Sequence, residues 1–359
     1  MSLPEIWFLA IAVLFGGYFL LEGFDFGVGM LMPVLGRRRG ETVAEGDTRR
    51  RVVLNTIGPV WDGNEVWVIT AVGAMFAAFP AWYAGMLSAL YLPMLLVLVG
   101  LILRVVAIEW RGKIDDPRWR RWCDIGIGAG SWVPAFIWGL TFANLVRGLP
   151  IDGDGRFVGG LGDLLSPYAL LGGLTTVALF AVHGAVFLGL KTDGVMRIAA
   201  TRAARRLAPP AAVVVAAFAG WTQLEHGHAL TVVAAVACVG ALIATSVVVT
   251  SGHGTPSARR EAVAFATTAV AIVALTVLLF GSLWPAVIPS TLDPAFSVTI
   301  ADAASSAYTL RIISWASLVV LPVVIGYQAW TYWVFRQRIS LQQIPASIGV
   351  PLRRDAGAR

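Results

Sequence analysis

The chain has 359 residues, 57% of them hydrophobic and only 13% charged. Soluble domains carry about 25% charged residues, so a water-surrounded globule is excluded and an integral membrane protein is expected. The formal charge of +6 reads as membrane topology and contact with anionic lipid, with no nucleic-acid partner, because the cations are divided among several connections and form no single stripe.

Apolar segments of about 20 residues fall at roughly 5–32, 52–79, 81–108, 123–146, 164–190, 207–224, 229–250, 262–288 and 308–335. These nine predict an all-α polytopic protein with nine transmembrane helices, since the alternating pattern of barrel strands does not occur. The first segment is too long and too acidic for a cleaved leader and is expected to stay in the mature chain. It contains Glu22 and Asp25, spaced i, i+3 and so on one face of a helix. A polar and mobile cytoplasmic loop is expected from Arg37 to Arg51.

The second segment contains Gly58-Pro59, which should kink or unwind it just before Trp61, Asp62, Asn64 and Glu65. Asp25 lies twelve residues before Arg37, and Asp62 eleven after Arg51. Both therefore sit roughly 16–18 Å from the cytoplasmic loop at 1.5 Å per residue. Arg104, near the end of the third segment, lies roughly 10 Å inside the same edge and within expected reach of Asp62. An ionised, unpaired carboxylate at mid-membrane costs about 2.5–3.5 kcal/mol, so four would cost roughly 10–14 kcal/mol. Two readings follow. The acids are protonated helix-interface hydrogen-bonders with Arg104 as counter-ion, or they form a proton or cation site, which is what intramembrane acids usually mark.

The fourth segment carries Asp124, Ser131, Pro134 and Asn144, and a turn-rich outer loop follows from Arg147 to Asp163. His183, in the fifth, is the only histidine well inside a span, roughly 12 Å from Lys191. The sixth and seventh are joined by Glu225-His226-Gly227-His228, where solvated histidines outweigh a surface metal site. Trp284 and Tyr308 fit interfacial anchoring, and Tyr327, Trp330, Tyr332 and Trp333 read as an aromatic belt. Cys123 and Cys238 fall at different depths, which argues against a disulfide or a metal pair.

Basic residues set the orientation. All but Arg147, Arg156 and Arg311 fall on one side, which puts the N-terminus outside and the C-terminus in the cytoplasm. A short echo between Glu22-Gly23-Phe24-Asp25-Phe26 and His183-Gly184-Ala185-Val186-Phe187 suggests two four-helix bundles plus a peripheral ninth helix. The corresponding divisions are 1–150, with the acidic cluster, 151–290, 291–338 and a cytoplasmic tail at 339–359. A low-spin haem needs two axial side chains, and one deep histidine is not a pair. The chain is thus expected to ligate no haem and no metal.

Three stretches resemble subunit II of the cytochrome bd-type quinol oxidases: Glu22 to Leu31, Asn55 to Trp67 and Phe76 to Pro80. Arg104, the Trp119 to Asp124 loop and the helix count agree with it. The resemblance implies a bacterial cell-membrane complex that oxidises quinol and reduces dioxygen to water. Haems b and d would lie in the partner, subunit I, while this chain supports assembly and contributes a cytoplasmic proton path. It implies Trp61, Asp62 and Asp25 on that path, with Arg104 in the same polar cluster, and allows a structural quinone here and small accessory subunits. Glu65, counted with the path, stands where some members have Gln. Glu22, Asn64 and His183 complete the candidate polar cluster. The alternatives are a proton-coupled secondary transporter, which needs helices broken at midplane in both halves, and a purely structural anchor.

Overall fold

Helix begins at Leu3 because Ser2 and Glu5 cap each other: the Ser2 hydroxyl accepts from the Glu5 backbone, and the Glu5 carboxylate accepts from the Ser2 backbone at 2.7 Å. The resulting helix α1 (Leu3–Leu35) is the axis of the protein. In this computed structural model residues 1–36, 40–252, 255–345 and 349–350 are described. Arg37–Arg39, Arg353, Arg354 and Arg359, which contribute to the orientation argument, lie outside them.

After α1 come α2 (Val43–Ile57), α3 (Trp61–Ala78), α4 (Pro80–Ala89), α5 (Tyr91–Trp110) and α6 (Pro117–Arg147). Then follow α7 (Pro167–Lys191), α8 (Gly194–Glu225), α9 (Ala229–Ser251), α10 (Ala258–Leu283), α11 (Ile300–Ala303) and α12 (Ala307–Val334). A small antiparallel pair, β1 (Ala286–Ile288) and β2 (Val298–Thr299), lies between α10 and α11. Among the described residues eight helices are long and apolar enough to span, and nine if α3 and α4 count as one bent span. The nine-span expectation is met on that reading.

Several expected boundaries move, each for a local reason. The segment expected at 52–79 is two helices, because Pro59 cannot donate a backbone hydrogen bond and α2 stops at Ile57. The loop expected from Arg37 to Arg51 is helical from Val43, where Thr42 and Glu45 form a second reciprocal cap. The segment expected at 81–108 divides at Leu90, and α3 turns by 119° into α4 at Phe79, the residue before Pro80. Helix α8 starts thirteen residues before its expected span because its Arg-rich first turns run on beyond the apolar part.

Helix α1 packs against α3, α6, α7 and α10, and every residue from Gly23 to Leu31 is buried. Small residues make the close crossings, as expected where lipid gives helices no hydrophobic drive to associate. A Cβ on Gly27 would stand 2.0 Å from the Phe180 carbonyl oxygen on α7. One on Gly139 would stand 2.2 Å from the Gly172 carbonyl where α6 meets α7. Helix α12 is peripheral: Leu310 is its only buried residue.

The Arg-rich end is laced by ion pairs. Arg111 binds Asp124 at 2.6 Å and Asp47 at 2.8 Å, tying α2 to the α5–α6 connection. The described residues after α12, in the stretch whose part from 339 is expected as a cytoplasmic tail, cross this end as a strap. Arg338 donates to the Gly189 and Thr192 carbonyls and to Glu261, each at 2.9 Å, and Glu261 also receives Arg197. Farther along, Arg51 donates to the Pro345 carbonyl at 2.7 Å and Val350 pairs with Ile114. The backbone of the strap is tied to the end of α7 and to the α5–α6 connection: Ile339 N donates to the Lys191 carbonyl and Val350 N to the Lys113 carbonyl, each at 2.8 Å.

Candidate functional site

One face of α1 presents Tyr18, Glu22 and Asp25, at spacings of four and three residues, while Gly23 and Gly27 turn to α7. The acids therefore point away from the closest helix crossing, toward α3, α5 and α6. Pro59 ends α2 just early enough for α3 to start at Trp61 and bring Asn64 and Glu65 to that face. The Asn64 amide nitrogen donates to Asp25 Oδ2 at 2.6 Å. Arg104 on α5 donates Nη1 to Glu22 Oε1 and, at 3.3 Å, to Glu65 Oε1. Its guanidinium lies 5.0 Å from the Phe26 ring centroid, a second source of stabilisation for a desolvated cation.

Glu22, Asp25, Asn64 and Arg104 have no solvent exposure, and the Glu65 side chain retains 16%. Four buried polar atoms here have no hydrogen-bond partner among the described residues: Glu22 Oε2, Asp25 Oδ1, and Nε and Nη2 of Arg104. Buried polar groups are nearly always satisfied, so these atoms mark a place for protons and water. The chemistry on offer is proton holding and transfer. Among the described residues no group of three or more His, Cys, Asp or Glu could hold a metal ion.

The structure brings together Glu22, Asp25, Asn64, Glu65 and Arg104, and leaves three expected members, Asp62, Trp61 and His183, elsewhere. Asp62 lies on the exposed face of the first turn of α3 and makes no ion pair with Arg104. Trp61 is buried beside it, in the apolar cluster toward the Arg-rich end. His183 sits behind α1. Its Nε2 donates to the Leu20 carbonyl at 3.1 Å, its Nδ1 meets the Thr268 hydroxyl at 2.7 Å, and its ring stacks on Phe265. With a carbonyl fixing the proton on Nε2, Nδ1 is the acceptor, and both nitrogens are occupied.

Three residues join the site that the sequence reading placed elsewhere or passed over. Tyr332, taken for part of an aromatic belt, donates its hydroxyl to Asn64 Oδ1 at 2.7 Å. Gln328 donates to the same oxygen at 3.2 Å and accepts from Trp67 Nε1 at 2.9 Å. With its carbonyl held by α12, Asn64 must turn its amide nitrogen to Asp25. Tyr18, one turn from Glu22, accepts from Trp138 Nε1 at 3.2 Å. Around it Phe15, Phe19, Trp138 and Phe142 pack edge to face and bound the polar cluster on the side of the α1 N-terminus. The four-residue spacing of Tyr18 and Glu22 was a usable signal; nothing local to Tyr332 announces Asn64.

Residues 3–335 match the family described as cytochrome bd terminal oxidase subunit II. The chain is 40% identical to the cytochrome bd ubiquinol oxidase subunit 2 of Bacillus subtilis, over 94% of this chain and 97% of that one. It is 33% identical to the cytochrome bd-I ubiquinol oxidase subunit 2 of Escherichia coli, over 94% and 96%. In fold it is similar to a chain of the bd oxidase from Geobacillus thermodenitrificans, with a TM-score of 0.74 at 19% identity, over 93% of this chain and 99% of that one.

Proposed function

This chain belongs to the cytochrome bd terminal oxidase subunit II family, and from that premise we propose that it is the non-haem subunit of a bacterial quinol:dioxygen oxidoreductase. Its partner is a subunit I that carries haems b and d. It lies in the cytoplasmic membrane with its N-terminus outside and its Arg-rich end inside. The observation that carries a role in proton supply is the buried cluster of three carboxyls around one guanidinium, open at the Glu65 edge. Protons enter from the cytoplasm past exposed Asp62, pass to Glu65 and reach Glu22 and Asp25. The occupied ring nitrogens of His183 support the absence of haem ligation here. The transporter alternative is disfavoured because α7, α8, α9 and α10 run unbroken, whereas that mechanism calls for paired breaks.

The test is quinol-dependent oxygen uptake by complexes carrying Asp25→Asn or Asp62→Asn, with haem content measured alongside. Each substitution keeps the shape of the side chain and removes its ability to take up and release a proton. Full haem with turnover down at least about tenfold, roughly 1.4 kcal/mol in the limiting barrier, is the expected result. Full haem with wild-type turnover in both variants would place the proton path in the partner. A reporter fused after Arg359 should read cytoplasmic and one inserted near Asp154 external.

A further inference from the structure

The charge balance of the site is uneven. Glu22, Asp25 and Glu65 face a single cation, Arg104, and among the described residues no other Lys or Arg is within ion-pair distance of them. The other groups packed around the site are neutral donors and acceptors or lie at its edge. Helix α1 adds the Tyr18 phenol, α3 adds Asn64 and, on its exposed side, Asp62, and α12 adds Gln328 and Tyr332. In a water-poor interior one guanidinium offsets one carboxylate, and further carboxyls stay neutral by keeping their protons. Three acids against one cation leave two protons to place.

Hydrogen bonding places them, independently of the count. Glu22 and Asp25 lie three residues apart on one face of α1, a spacing at which helix side chains are neighbours. Each has one buried oxygen without a donor, Glu22 Oε2 and Asp25 Oδ1. Two ionised carboxylates could only repel there, whereas one proton between the oxygens satisfies both. Asp25 Oδ2 and Glu22 Oε1 are already engaged, by Asn64 and Arg104. Among the described residues Glu65 has only the 3.3 Å contact to Arg104, and it sits at the open edge.

The geometry points to a two-proton store: one proton held between Asp25 Oδ1 and Glu22 Oε2, a second on Glu65, and Glu22 as the ionised partner of Arg104. This rests on the proton-supply reading above and adds the resting charge state and the order of release. Glu65 gives up its proton first, because the carboxylate left behind already contacts Arg104 and lies nearest the route by which it is reloaded. The shared proton follows only after Glu65 is ionised. The site is neutral when full and carries one negative charge after the first release.

Infrared spectroscopy of the whole complex tests the store, because a protonated carboxyl has a carbonyl-stretch band that shifts on exchange into D2O. In wild-type minus variant spectra, Glu65→Gln should lose one acid band. Asp25→Asn and Glu22→Gln should each lose the same second band, since that proton belongs to the pair. The wild-type complex should show exchangeable acid bands that Glu65→Gln, which preserves side-chain shape at the site's edge, reduces by one. Loss of carboxylate bands only, in every variant, would mean the acids are ionised and would overturn the proposal. Separate bands lost from Asp25→Asn and Glu22→Gln would overturn the sharing. Oxygen uptake in the same preparations keeps the two questions apart: the predicted bands with unaffected turnover would refute the proton-supply reading and leave the store standing.

Discussion

The crossing of α1 and α7 offers the sharpest test of how packing sets the site. In Gly27→Ala the new methyl would stand 2.0 Å from the Phe180 carbonyl oxygen and 2.8 Å from Gly184 Cα, against an ordinary contact of 3.4 Å or more. The shortfall at the carbonyl is 3.4 − 2.0, or about 1.4 Å, and backbone on the far side cannot rotate away. Overpacking of this kind costs about 1–3 kcal/mol, and rigid neighbours put it near the upper end. Alanine recovers about 1 kcal/mol in helix propensity, which leaves a net loss of about 2 kcal/mol. Applying the roughly 2–4 °C per kcal/mol of mid-sized domains, the melting temperature of the purified complex should fall by about 4–8 °C. Function should fall with it, because Asp25 is two residues away and its 2.6 Å bond to Asn64 does not survive a shift of about 1 Å. Gly240→Ala on α9 is the control, since a Cβ there meets nothing within 4 Å. A Gly27→Ala complex that melts with wild type and consumes oxygen at the wild-type rate would refute the argument.

Arg104→Gln should cost about 3–5 kcal/mol by stranding buried acids, seen as loss of assembled complex on size exclusion; a wild-type yield would show that the cluster needs no cation. Tyr332→Phe removes one donor to Asn64 and leaves Gln328 in place, so it should cost about 1 kcal/mol, whereas Tyr332→Phe with Gln328→Leu should reduce turnover by more than the product of the single effects. Burial, with Arg147 adding and Glu225 opposing, holds the His226 imidazole below its ordinary value of 6.5. A base depressed in the folded state gives stability that is complete above the unfolded value and is lost as pH falls through it toward the folded one. Melting curves taken from about pH 7.5 down to about pH 5 should therefore decline less in His226→Gln than in wild type, and parallel curves would count against this.

Helix type and number were legible because apolar runs of membrane length leave few alternatives. The acids were legible for the same reason, since a carboxylate in such a run stands out whatever its partners are. Helix ends were less so. Hydropathy registers α2 and the start of α8 weakly because their polar turns lie outside the apolar region, and the bend at Phe79 depends on two backbone angles at one residue. Asp62 and Asp25 have similar depths by residue counting, yet one is exposed and the other buried. Depth along a helix says nothing about azimuth, and azimuth decided which acid meets Arg104. Tyr332 could not be identified from its surroundings, because its partner is 268 residues earlier in the chain.

That long-range bond also bears on what fixes the site. Helix α12 buries only Leu310, so packing does little to hold it within this chain. It is held by named polar contacts: Ser314 with Trp7 at 2.9 Å, Gln328 with Trp67 at 2.9 Å, Tyr332 with Asn64 at 2.7 Å, and the Arg338 strap beyond its end. Hydrogen bonds between membrane helices are worth about 0.6–2 kcal/mol each, so the first three together come to a few kcal/mol. Two of the three end on α3, at Trp67 and at the residue that donates to Asp25. A displacement of α12 large enough to break the Tyr332 bond frees the Asn64 amide to turn, and Asp25 then loses the donor that distinguishes Oδ2 from Oδ1. The carboxyl pair on α1 is rigid because α1 is buried; its hydrogen-bond polarity is set by the least buried helix of the protein.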